Sequence, residues 1–364
     1  MTAAPTPIDA QTAFTGTVAP TGTDILDEAK LAEWMTANVA GFEGPVQALK
    51  FAGGQSNPTY RLNAKSGSYV LRRKPLGILL PSAHAVDREY KVIAGLHPTG
   101  FPVAKPYGLC TDDSVIGSWF YIMELVEGRI FWDASFSEVP HDQRPAYFDA
   151  MNATIAQLHS LDYAALGLEG FGKPGNYFER QISRWSRQYM EDEEAGRDGD
   201  MDALLEWLPN NIPDGDDSSI VHGDFRCDNM IFHPTEPRVV AVLDWELSTL
   251  GHPLADFSYH CMAWHIKPGS FRGIGGLDHK ALGIPEEAEY IQRYCQRTGF
   301  TTPEKLALDW NFYMAYNLFR IAAILQGIAK RVVDGTASSD QAKASGNGAK
   351  PMAELAWHFA SQVH

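Results

Sequence analysis

The order of apolar and polar positions changes character along the chain. In the N-terminal third, Ile25, Leu26, Leu31 and Trp34 have the spacing of one helix face, and Asp24 is placed to cap that helix. Short apolar runs separated by turn residues then predict strands. This third is predicted to form a helix, three strands, a second helix and two more strands, at about 25–38, 48–51, 60–62, 69–72, 83–95, 107–110 and 119–125.

The helical period dominates the rest of the chain. One strand-rich stretch, from Ile220 to Trp245, interrupts helices predicted at about 142–161, 175–191, 200–207, 284–298 and 305–331. The chain is therefore predicted to be α+β, with a small strand-rich lobe at 24–125 and a larger, mainly helical lobe at 126–364. Residues 1–23, rich in Ala, Thr, Pro and Gly, are predicted to be a disordered tail. A cleft between two lobes is a usual place for a small-molecule site.

The most informative motif lies in the strand-rich stretch. Residues 222–229 have the sequence HGDFRCDN between two apolar runs, and a third apolar run leads into Asp244. Phosphoryl transfer needs a carboxylate that orients and deprotonates an acceptor hydroxyl, which suits Asp224, and oxygen ligands for Mg²⁺, which suit Asn229 and Asp244. Arg226 would offset charge on the transferred phosphate. A plain turn between strands uses the same residue types, but the spacing is much more specific than a turn requires.

The HxDxxxxN spacing, followed by an Asp after a β-hairpin, resembles the aminoglycoside phosphotransferase and choline kinase family over about residues 46–330. The resemblance implies a bilobal protein-kinase-like fold, with a small antiparallel sheet and one key helix in the N-terminal lobe. It carries the base role to Asp224 and the metal roles to Asn229 and Asp244. It also implies ATP and Mg²⁺ as cofactors.

Two further acids follow this motif. Asp256 lies in the segment GHPLAD, which resembles the family's GDPxxD segment with His252 in place of the usual Asp. Asp256 is predicted to hold the catalytic loop through bonds to its backbone. Glu246 is either a ligand of a second metal or a hydrogen-bonding residue.

The N-terminal lobe is expected to bind the phosphates of ATP. The segment FAGGQSNPTY at 51–60 lies where a kinase places its phosphate-covering hairpin, although it departs from the GxGxxG pattern. Gly53 and Gly54 would allow close approach of the backbone, and Ser56 and Asn57 would donate hydrogen bonds. An ordinary hairpin turn is the alternative interpretation.

A cation and a buried carboxylate make the next predicted contact. Arg72 stands where the third strand of a kinase carries its phosphate-binding Lys, although a slip of one residue would put Arg73 there. Glu89 shares the apolar helix face of Val86 and Ile93, and a buried carboxylate needs a cationic partner. The sequence therefore predicts an Arg72–Glu89 ion pair, with an exposed and surface-paired Glu89 as the alternative.

The strand near 119–125 resembles the last strand and hinge of a kinase. Adenine would accept a hydrogen bond from the Val126 N–H and donate one to the Glu124 carbonyl, and Met123 would border the pocket. An edge strand that ends at Gly128 is the alternative.

Composition narrows the choice of partners. The 364 residues carry 30 Lys and Arg against 45 Asp and Glu, a formal net charge of −15. That balance argues against nucleic-acid binding and against docking on anionic membranes. ATP is itself a polyanion, so its recognition must depend on Mg²⁺ and on placed cations, chiefly Arg72 and Arg226. The four cysteines lack metal-binding spacing and no secretory signal is present, which predicts a cytoplasmic protein.

Two local features favour different acceptors. The acidic run Glu191–Glu194 would receive a cationic aminoglycoside, unless it is a solvated loop. Arg180, Arg184 and Arg187 form a basic stripe on one helix face, which suits either an anionic acceptor or pairing with nearby acids in solvent. The two features leave the acceptor open.

A second resemblance bears on the acceptor. Three stretches, Gly53–Tyr60, Leu79–Tyr90 and Phe178–Tyr189, resemble the kinase domain attached to acyl-CoA dehydrogenase family members ten and eleven, which implies hydroxyacyl-CoA acceptors. The sequence thus predicts transfer of the γ-phosphate of ATP to a hydroxyl of a small molecule, with hydroxyacyl-CoA as one candidate. The alternatives are an aminoglycoside-type antibiotic kinase and a non-catalytic nucleotide-binding module.

Overall fold

Two compact units make up the structure, a computed structural model that describes residues 16–52, 57–77, 84–191, 196–269, 271–333, 346 and 348–362. The first unit takes its residues from Met1–Asp133, Tyr163–Phe171 and Arg226–Ser248, and the second unit from Ala134–Asp162, Gly172–Phe225 and Thr249–His364. The units therefore alternate along the chain. Asn229 and Asp244 belong to the first unit, and Asp224 belongs to the second. The division of the chain into two lobes between residues 125 and 126 remains a prediction.

Antiparallel pairing organises the strands of the described residues. These strands are β1 (Thr17–Val18), β2 (Val46–Phe51), β3 (Thr59–Ala64), β4 (Gly67–Arg73), β5 (Pro106–Cys110), β6 (Phe120–Glu124), β7 (Ser219–Val221), β8 (Met230–Phe232), β9 (Val239–Val242) and β10 (Thr249–Gly251). The first unit holds a sheet in the order β1-β2-β3-β4-β6-β5 and the separate pair β8-β9. The second unit holds the pair β10-β7.

Helices are unevenly shared between the two units. The first unit has α1 (Glu28–Asn38), α2 (Val86–Leu96) and α3 (Asp113–Ile116). The second unit has α4 (Arg144–Ser160), α5 (Tyr177–Glu191), α6 (Gly199–Asn210), α7 (Pro253–Cys261), α8 (His279–Leu282), α9 (Glu287–Thr298), α10 (Pro303–Val333) and α11 (Ala349–Ala360). The predicted α+β class is confirmed, because a strand-rich N-terminal part and a mainly helical later part are both present.

The core of the first unit follows the alternation of the strands. Tyr60 and Leu62 on β3 and Leu71 on β4 have no exposed surface, and Leu31 of α1 is buried in the same cluster. In this β-sheet, side chains two residues apart lie on one face, so the short apolar alternation of the sequence was enough to predict this layer.

Two predictions for the N-terminal region are wrong. The first helix begins at Glu28 and is capped by Asp27, whose side chain accepts a bond from the Lys30 N–H, rather than by Asp24. Asp24 instead pairs with Lys50 at 2.6 Å. Part of the predicted tail is a strand, because β1 pairs with β2; residues 1–15 lie outside the described part of the chain.

Four elements of the second unit were missed by the sequence analysis, namely β10, α7, α8 and α11. All nine residues of α7 are buried, so this helix has no polar face and no amphipathic period to detect. It begins at Pro253, a favourable first helical position, after His252 as N-cap. Among the described residues, no helix is long and apolar enough to cross a membrane.

Candidate active site

A cavity of about 500 Å³ lies within the first unit. Its walls come from strands β3, β4 and β6, from the segment that follows β6, and from the segment that contains β8 and β9. Six residues with predicted roles line it: Arg72, Met123, Glu124, Val126, Asn229 and Asp244. The remaining wall is largely apolar, with Val70, Ala104, Ile231 and Val242 among its residues. Such a pocket, apolar with a few convergent polar groups, suits a small ligand that has a flat apolar part and a charged part.

The predicted ion pair between Arg72 and Glu89 is confirmed. Arg72 Nε lies 2.8 Å from Glu89 Oε2, and the two side chains are 13% and 2% exposed. Arg72 Nη2 also donates to Asp244 Oδ1 at 2.7 Å. Arg73, the alternative, has its Nη2 on the Thr23 carbonyl instead, so the register of β4 turns Arg72 towards Glu89.

Two neutral donors complete the surroundings of Glu89. Asn57 Nδ2 donates to Glu89 Oε1 at 2.6 Å, and the Tyr121 hydroxyl donates to Glu89 Oε2 at 3.1 Å. The His84 ring contacts the other end of the Asn57 amide, with Nδ1 2.9 Å from Oδ1. Asn57 is fully buried. This contact differs from the phosphate contact that the sequence predicted for Asn57, while Gly53, Gly54 and Ser56 lie outside the described residues.

The charges of this network are coupled. Burial opposes the charge on Arg72, but the carboxylates of Glu89 and Asp244 outweigh it and raise the pKa of Arg72 above its ordinary value. Burial raises the pKa of Glu89, an effect that Arg72, Tyr121 and Asn57 oppose. Arg72 is therefore a permanent cation held at the cavity wall between two acids.

Asp244 has a backbone conformation that few non-glycine residues adopt. Its φ is 62° and its ψ is 63°, in the left-handed region, and it precedes a short 3-10 turn at Trp245–Leu247. Such conformations cost free energy and cluster at functional sites. The Leu243 N–H donates to the Asn229 carbonyl at 2.8 Å, which ties the two predicted metal ligands' segments together.

Asn229 and Asp244 fit a divalent cation of the hard type. They offer an amide oxygen and a carboxylate at the wall of one cavity, and Mg²⁺ in nucleotide sites takes one or two such ligands beside phosphate oxygens and water. Among the residues described, no group of three or more His, Cys, Asp or Glu side chains is suited to a metal ion. A metal held by this pair would take its remaining ligands from phosphate oxygens and water.

The segment after β6 is held close to β8. Gly128 has no side chain, and a Cβ there would meet the Phe232 carbonyl oxygen at 2.2 Å and Ile231 Cγ2 at 2.4 Å. The next residue, Arg129, exchanges backbone hydrogen bonds with Phe232, both at 2.8 Å. Only glycine fits such a close backbone approach. The hinge-like segment thus packs directly on the strand that follows Asn229.

The loop that carries Asp224 is built within the second unit. Asp256 on α7 accepts from the His222 N–H at 2.7 Å and from the Gly223 N–H at 2.8 Å, so its predicted role in holding this loop is confirmed. His159 Nε2 lies 3.2 Å from Asp256 Oδ2. Burial opposes the charge of Asp256, but His159 and His222 outweigh it and lower its pKa.

Four arginines with predicted roles, Arg180, Arg184, Arg187 and Arg226, have different surroundings. Arg226 lies beside Asp228, with 3.5 Å between Nε and Oδ1. Arg180 donates to the Gly175 carbonyl and, at 2.6 Å, to the Lys173 carbonyl, so it stabilises the loop before α5. Arg184 and Arg187 are exposed on α5. The basic stripe of the sequence is therefore reduced to two exposed arginines. Most of the acidic run Glu191–Glu194 lies outside the described residues.

The sequence analysis missed two residues next to the loop that carries Asp224. The Tyr259 hydroxyl donates to Asp224 Oδ1, and Arg320 Nη2 donates to the Gly223 carbonyl at 2.8 Å. They lie 35 and 97 residues from their partners, so no local spacing connects them. The one available signal was Arg320 itself, a charge inside the apolar stretch of α10, which requires a buried partner.

The fold is that of a kinase-like phosphotransferase. The chain belongs to the phosphotransferase enzyme family (APH), whose model matches residues 47–308. The solved structure of a provisionally named aminoglycoside phosphotransferase from Ralstonia eutropha has a TM-score of 0.85 and 55% identity, and the match covers 93% of this chain and 99% of that one. An APH(4)-Ia aminoglycoside phosphotransferase, solved with AMP-PNP and hygromycin B, has a TM-score of 0.59 at 15% identity, covering 92% and 99%. The latter supports the fold alone.

Curated relatives extend the comparison. Acyl-CoA dehydrogenase family member 10 of Mus musculus is 46% identical over 322 residues, which are 88% of this chain and 30% of the relative. The chain therefore spans less than half the length of that relative. The predicted resemblance to the acyl-CoA dehydrogenase family members is confirmed.

Proposed function

We propose that the protein is an ATP- and Mg²⁺-dependent kinase of a small molecule that bears a hydroxyl group. The observation that carries this proposal is the convergence of Arg72, Asn229 and Asp244 on one cavity, with Arg72 ion-paired to buried Glu89. A phosphotransferase needs this combination of a fixed cation and hard oxygen ligands to hold nucleotide phosphates. Membership of the phosphotransferase enzyme family supports a phosphate donor such as ATP.

The first unit would bind the nucleotide. The apolar wall, with Met123 and the segment from Glu124 to Val126, would take the adenine, and Arg72 would contact the phosphates. Asn229 and Asp244 would hold Mg²⁺, which supplies charge neutralisation at the transferred phosphate when bound. Arg226 is assigned to the same charge. Gly53, Gly54, Ser56 and Asn57 stay assigned to the phosphate-covering hairpin, although Asn57 has Glu89 as its observed partner.

The second unit would supply the base. Asp224 would accept the proton of the acceptor hydroxyl while the oxygen of that hydroxyl forms a bond to the γ-phosphorus. The bond between that phosphorus and the β–γ bridging oxygen breaks, and ADP leaves. A non-catalytic nucleotide-binding module is less well supported, because each charged group of the predicted machinery is present in this sequence.

The acceptor class is supported by the relatives in two directions. The similarity to acyl-CoA dehydrogenase family member 10 favours a hydroxyacyl-CoA, and the exposed Arg184 and Arg187 agree with an anionic acceptor. The Ralstonia eutropha protein, by its name, favours an aminoglycoside. A screen of hydroxylated metabolites, acyl-CoAs and aminoglycosides for ADP release would decide between them. The four cysteines are all free and buried, which agrees with a reducing cytoplasm as the proposed location.

The base assignment is tested by Asp224→Ala. We expect this variant to bind Mg-ATP with a Kd within about threefold of the unsubstituted protein and to lose phosphate transfer by at least about 100-fold, because general base catalysis contributes on that order. Isothermal titration calorimetry measures the binding, and ADP release with the best acceptor of the screen measures the transfer. In the unsubstituted protein, removal of Mg²⁺ with EDTA should abolish transfer, and added Mg²⁺ should restore it.

Asp142→Ala is the matched control, since Asp142 is an exposed aspartate of the same unit. It should retain both activities. Wild-type kcat in Asp224→Ala would show that Asp224 is not the base. Mg-ATP binding without transfer to any acceptor in the unsubstituted protein would favour the non-catalytic module instead.

A further inference from the structure

Two buried side chains of the second unit converge on Asp224 and on the residue before it. The hydroxyl of Tyr259, on α7, donates to Asp224 Oδ1. The guanidinium of Arg320, on α10, donates through Nη2 to the Gly223 carbonyl at 2.8 Å. Tyr259 is 4% exposed and Arg320 is 7% exposed, so neither bond competes with bulk water.

The two side chains also contact each other. The guanidinium carbon of Arg320 lies 5.2 Å from the centroid of the Tyr259 ring, within the range of a cation–π contact. It lies 6.0 Å from the ring of Trp185, on α5. Burial opposes the charge of Arg320, yet the surrounding tyrosines and Asp224 raise its pKa, so the group is a cation inside the fold. Burying a cation of this kind costs free energy unless neighbouring groups pair with it and accept its hydrogen bonds.

The rest of the loop is held by other groups. Asp256 binds the His222 and Gly223 N–H groups, and the Asp224 N–H donates to His222 Nδ1 at 3.2 Å. Asp256 and the His222 ring therefore accept hydrogen bonds from three consecutive backbone N–H groups, those of residues 222–224. Tyr259 contacts the Asp224 carboxylate itself, and Arg320 contacts the Gly223 carbonyl.

From this geometry we propose that Tyr259 and Arg320 are positioning residues for phosphate transfer, which together hold the Asp224 carboxylate in its reactive orientation. The proposal rests on the function proposed above for Asp224. Tyr259 fixes the rotation of the carboxylate through Oδ1, and Arg320 fixes both the Gly223 peptide and the Tyr259 ring. Neither residue exchanges a proton with the acceptor. A misplacement of about 1 Å at a catalytic group can cost on the order of 100-fold in rate, so this anchoring matters to kcat.

The experiment compares Tyr259→Phe, Arg320→Lys and Arg320→Met in the full-length chain. Two reactions are followed: transfer to 3-hydroxybutyryl-CoA, and slow hydrolysis of Mg-ATP, in which water takes the place of the acceptor. Tyr259→Phe removes only the hydroxyl and should lower kcat about 10- to 100-fold while the Kd for Mg-ATP changes less than about twofold. Arg320→Lys keeps the cation, so its kcat should fall less than the kcat of Arg320→Met. Such a partial rescue is what a positioning cation predicts.

Two matched controls separate positioning from stability. Tyr189→Phe removes a buried hydroxyl that bonds to Asp198 and Asp202, away from the loop. Arg144→Lys alters a buried arginine that donates to the Val139, Leu282 and Ser137 carbonyls. Both controls should lower Tm as much as the test variants do, and both should leave kcat within about twofold.

A double-mutant cycle with Asp224→Asn gives the decisive reading. If Tyr259 acts through the carboxylate, then adding Tyr259→Phe to Asp224→Asn lowers the residual rate by less than about twofold, because the group it orients no longer acts as a base. Equal losses from Tyr259→Phe in both backgrounds would overturn the proposal. So would a wild-type kcat in Tyr259→Phe. A wild-type kcat in Asp224→Asn alone would instead reject the base assignment of the proposed function, so the two failures are distinguishable.

Discussion

Arg72 shows how much a single side chain can carry at this site. It is nearly buried, and it bridges Glu89, which belongs to α2, and Asp244, which has a strained backbone. The ion pair with Glu89 is a structural link between strand and helix. The bond to Asp244 holds a predicted metal ligand. We therefore expect one substitution at Arg72 to affect both the stability of the first unit and the proposed binding of nucleotide.

We expect Arg72→Met to lower the free energy of unfolding by about 3 kcal/mol, because breaking one side of a buried ion pair leaves an uncompensated carboxylate. Glu89 would then take up a proton in the folded state, with a pKa above that of the unfolded chain, so the stability of the variant relative to wild type should recover as the pH falls from 8 to 5. Urea unfolding at several pH values measures this. Lys65→Met, at an exposed pair with Glu43, is the control and should change stability by less than about 1 kcal/mol. A loss that does not depend on pH would contradict this account.

Helix α7 organises the loop that carries Asp224. Its N-cap is His252, whose Nδ1 accepts from the Leu254 N–H at 3.2 Å, and it carries Asp256, Tyr259 and His260. His260 Nδ1 lies 3.1 Å from the Phe225 carbonyl, one residue after Asp224. Three of its nine buried residues, Asp256, Tyr259 and His260, thus contact one loop. That concentration makes the helix sensitive to acid.

Burial lowers the pKa of His252 to about 4 and the pKa of His260 to about 4. Each histidine therefore contributes stability that is present above its unfolded pKa of about 6.5 and is lost as the pH falls towards 4. Below pH 6, the free energy of unfolding should fall by about 1.4 kcal/mol per pH unit for each histidine.

His252→Asn keeps a favourable N-cap without a titrating ring, so its unfolding free energy should depend less steeply on pH over the same window. Chemical denaturation from pH 7 to pH 4.5 measures the slope. His358→Asn, at an exposed position of α11, should leave the slope unchanged. An identical slope in His252→Asn and wild type would show that His252 does not titrate between the two states.

At the scale of the whole molecule, the first unit includes a segment from late in the sequence. Residues 226–248 belong to the first unit, although α4, α5 and α6 of the second unit precede them in the sequence. They supply seven residues to the cavity: Asp228, Asn229, Ile231, Val242, Leu243, Asp244 and Trp245. The nucleotide-sized cavity therefore depends on residues that are more than a hundred positions apart in sequence.

Mg-ADP bound to the full chain should protect amide hydrogens in distant segments at once. We expect slower exchange in β4, in the segment 123–128 and in 228–245, because all three line the cavity. Hydrogen exchange followed by mass spectrometry measures this, and helix α11 serves as the internal control, with no change. Protection confined to residues before 133 would contradict the assignment of Asn229 and Asp244 to the nucleotide site.

Most of the elements and the centre of the site could be predicted because their signals are local. The strands of the first unit alternate, Glu89 shares an apolar helix face, and Asp224, Asn229 and Asp244 stand in one motif. Helix α7 could not be predicted, because a helix buried on all sides has no period. Asn57 was assigned to phosphate because its neighbours are turn residues, whereas its amide is used inside the fold by Glu89.

The sequence by itself determined the class of the protein and the chemistry of its central groups. A carboxylate, an amide and a second carboxylate at fixed spacing are a local pattern, and a local pattern can be recognised in the sequence without the structure. The tertiary structure alone decided which partners these groups have: Asp244 beside Arg72, Tyr259 on Asp224, and Arg320 on the Gly223 carbonyl. Those contacts join residues far apart in the chain, and burial, which makes them strong and makes their loss costly, arises only when the chain has folded.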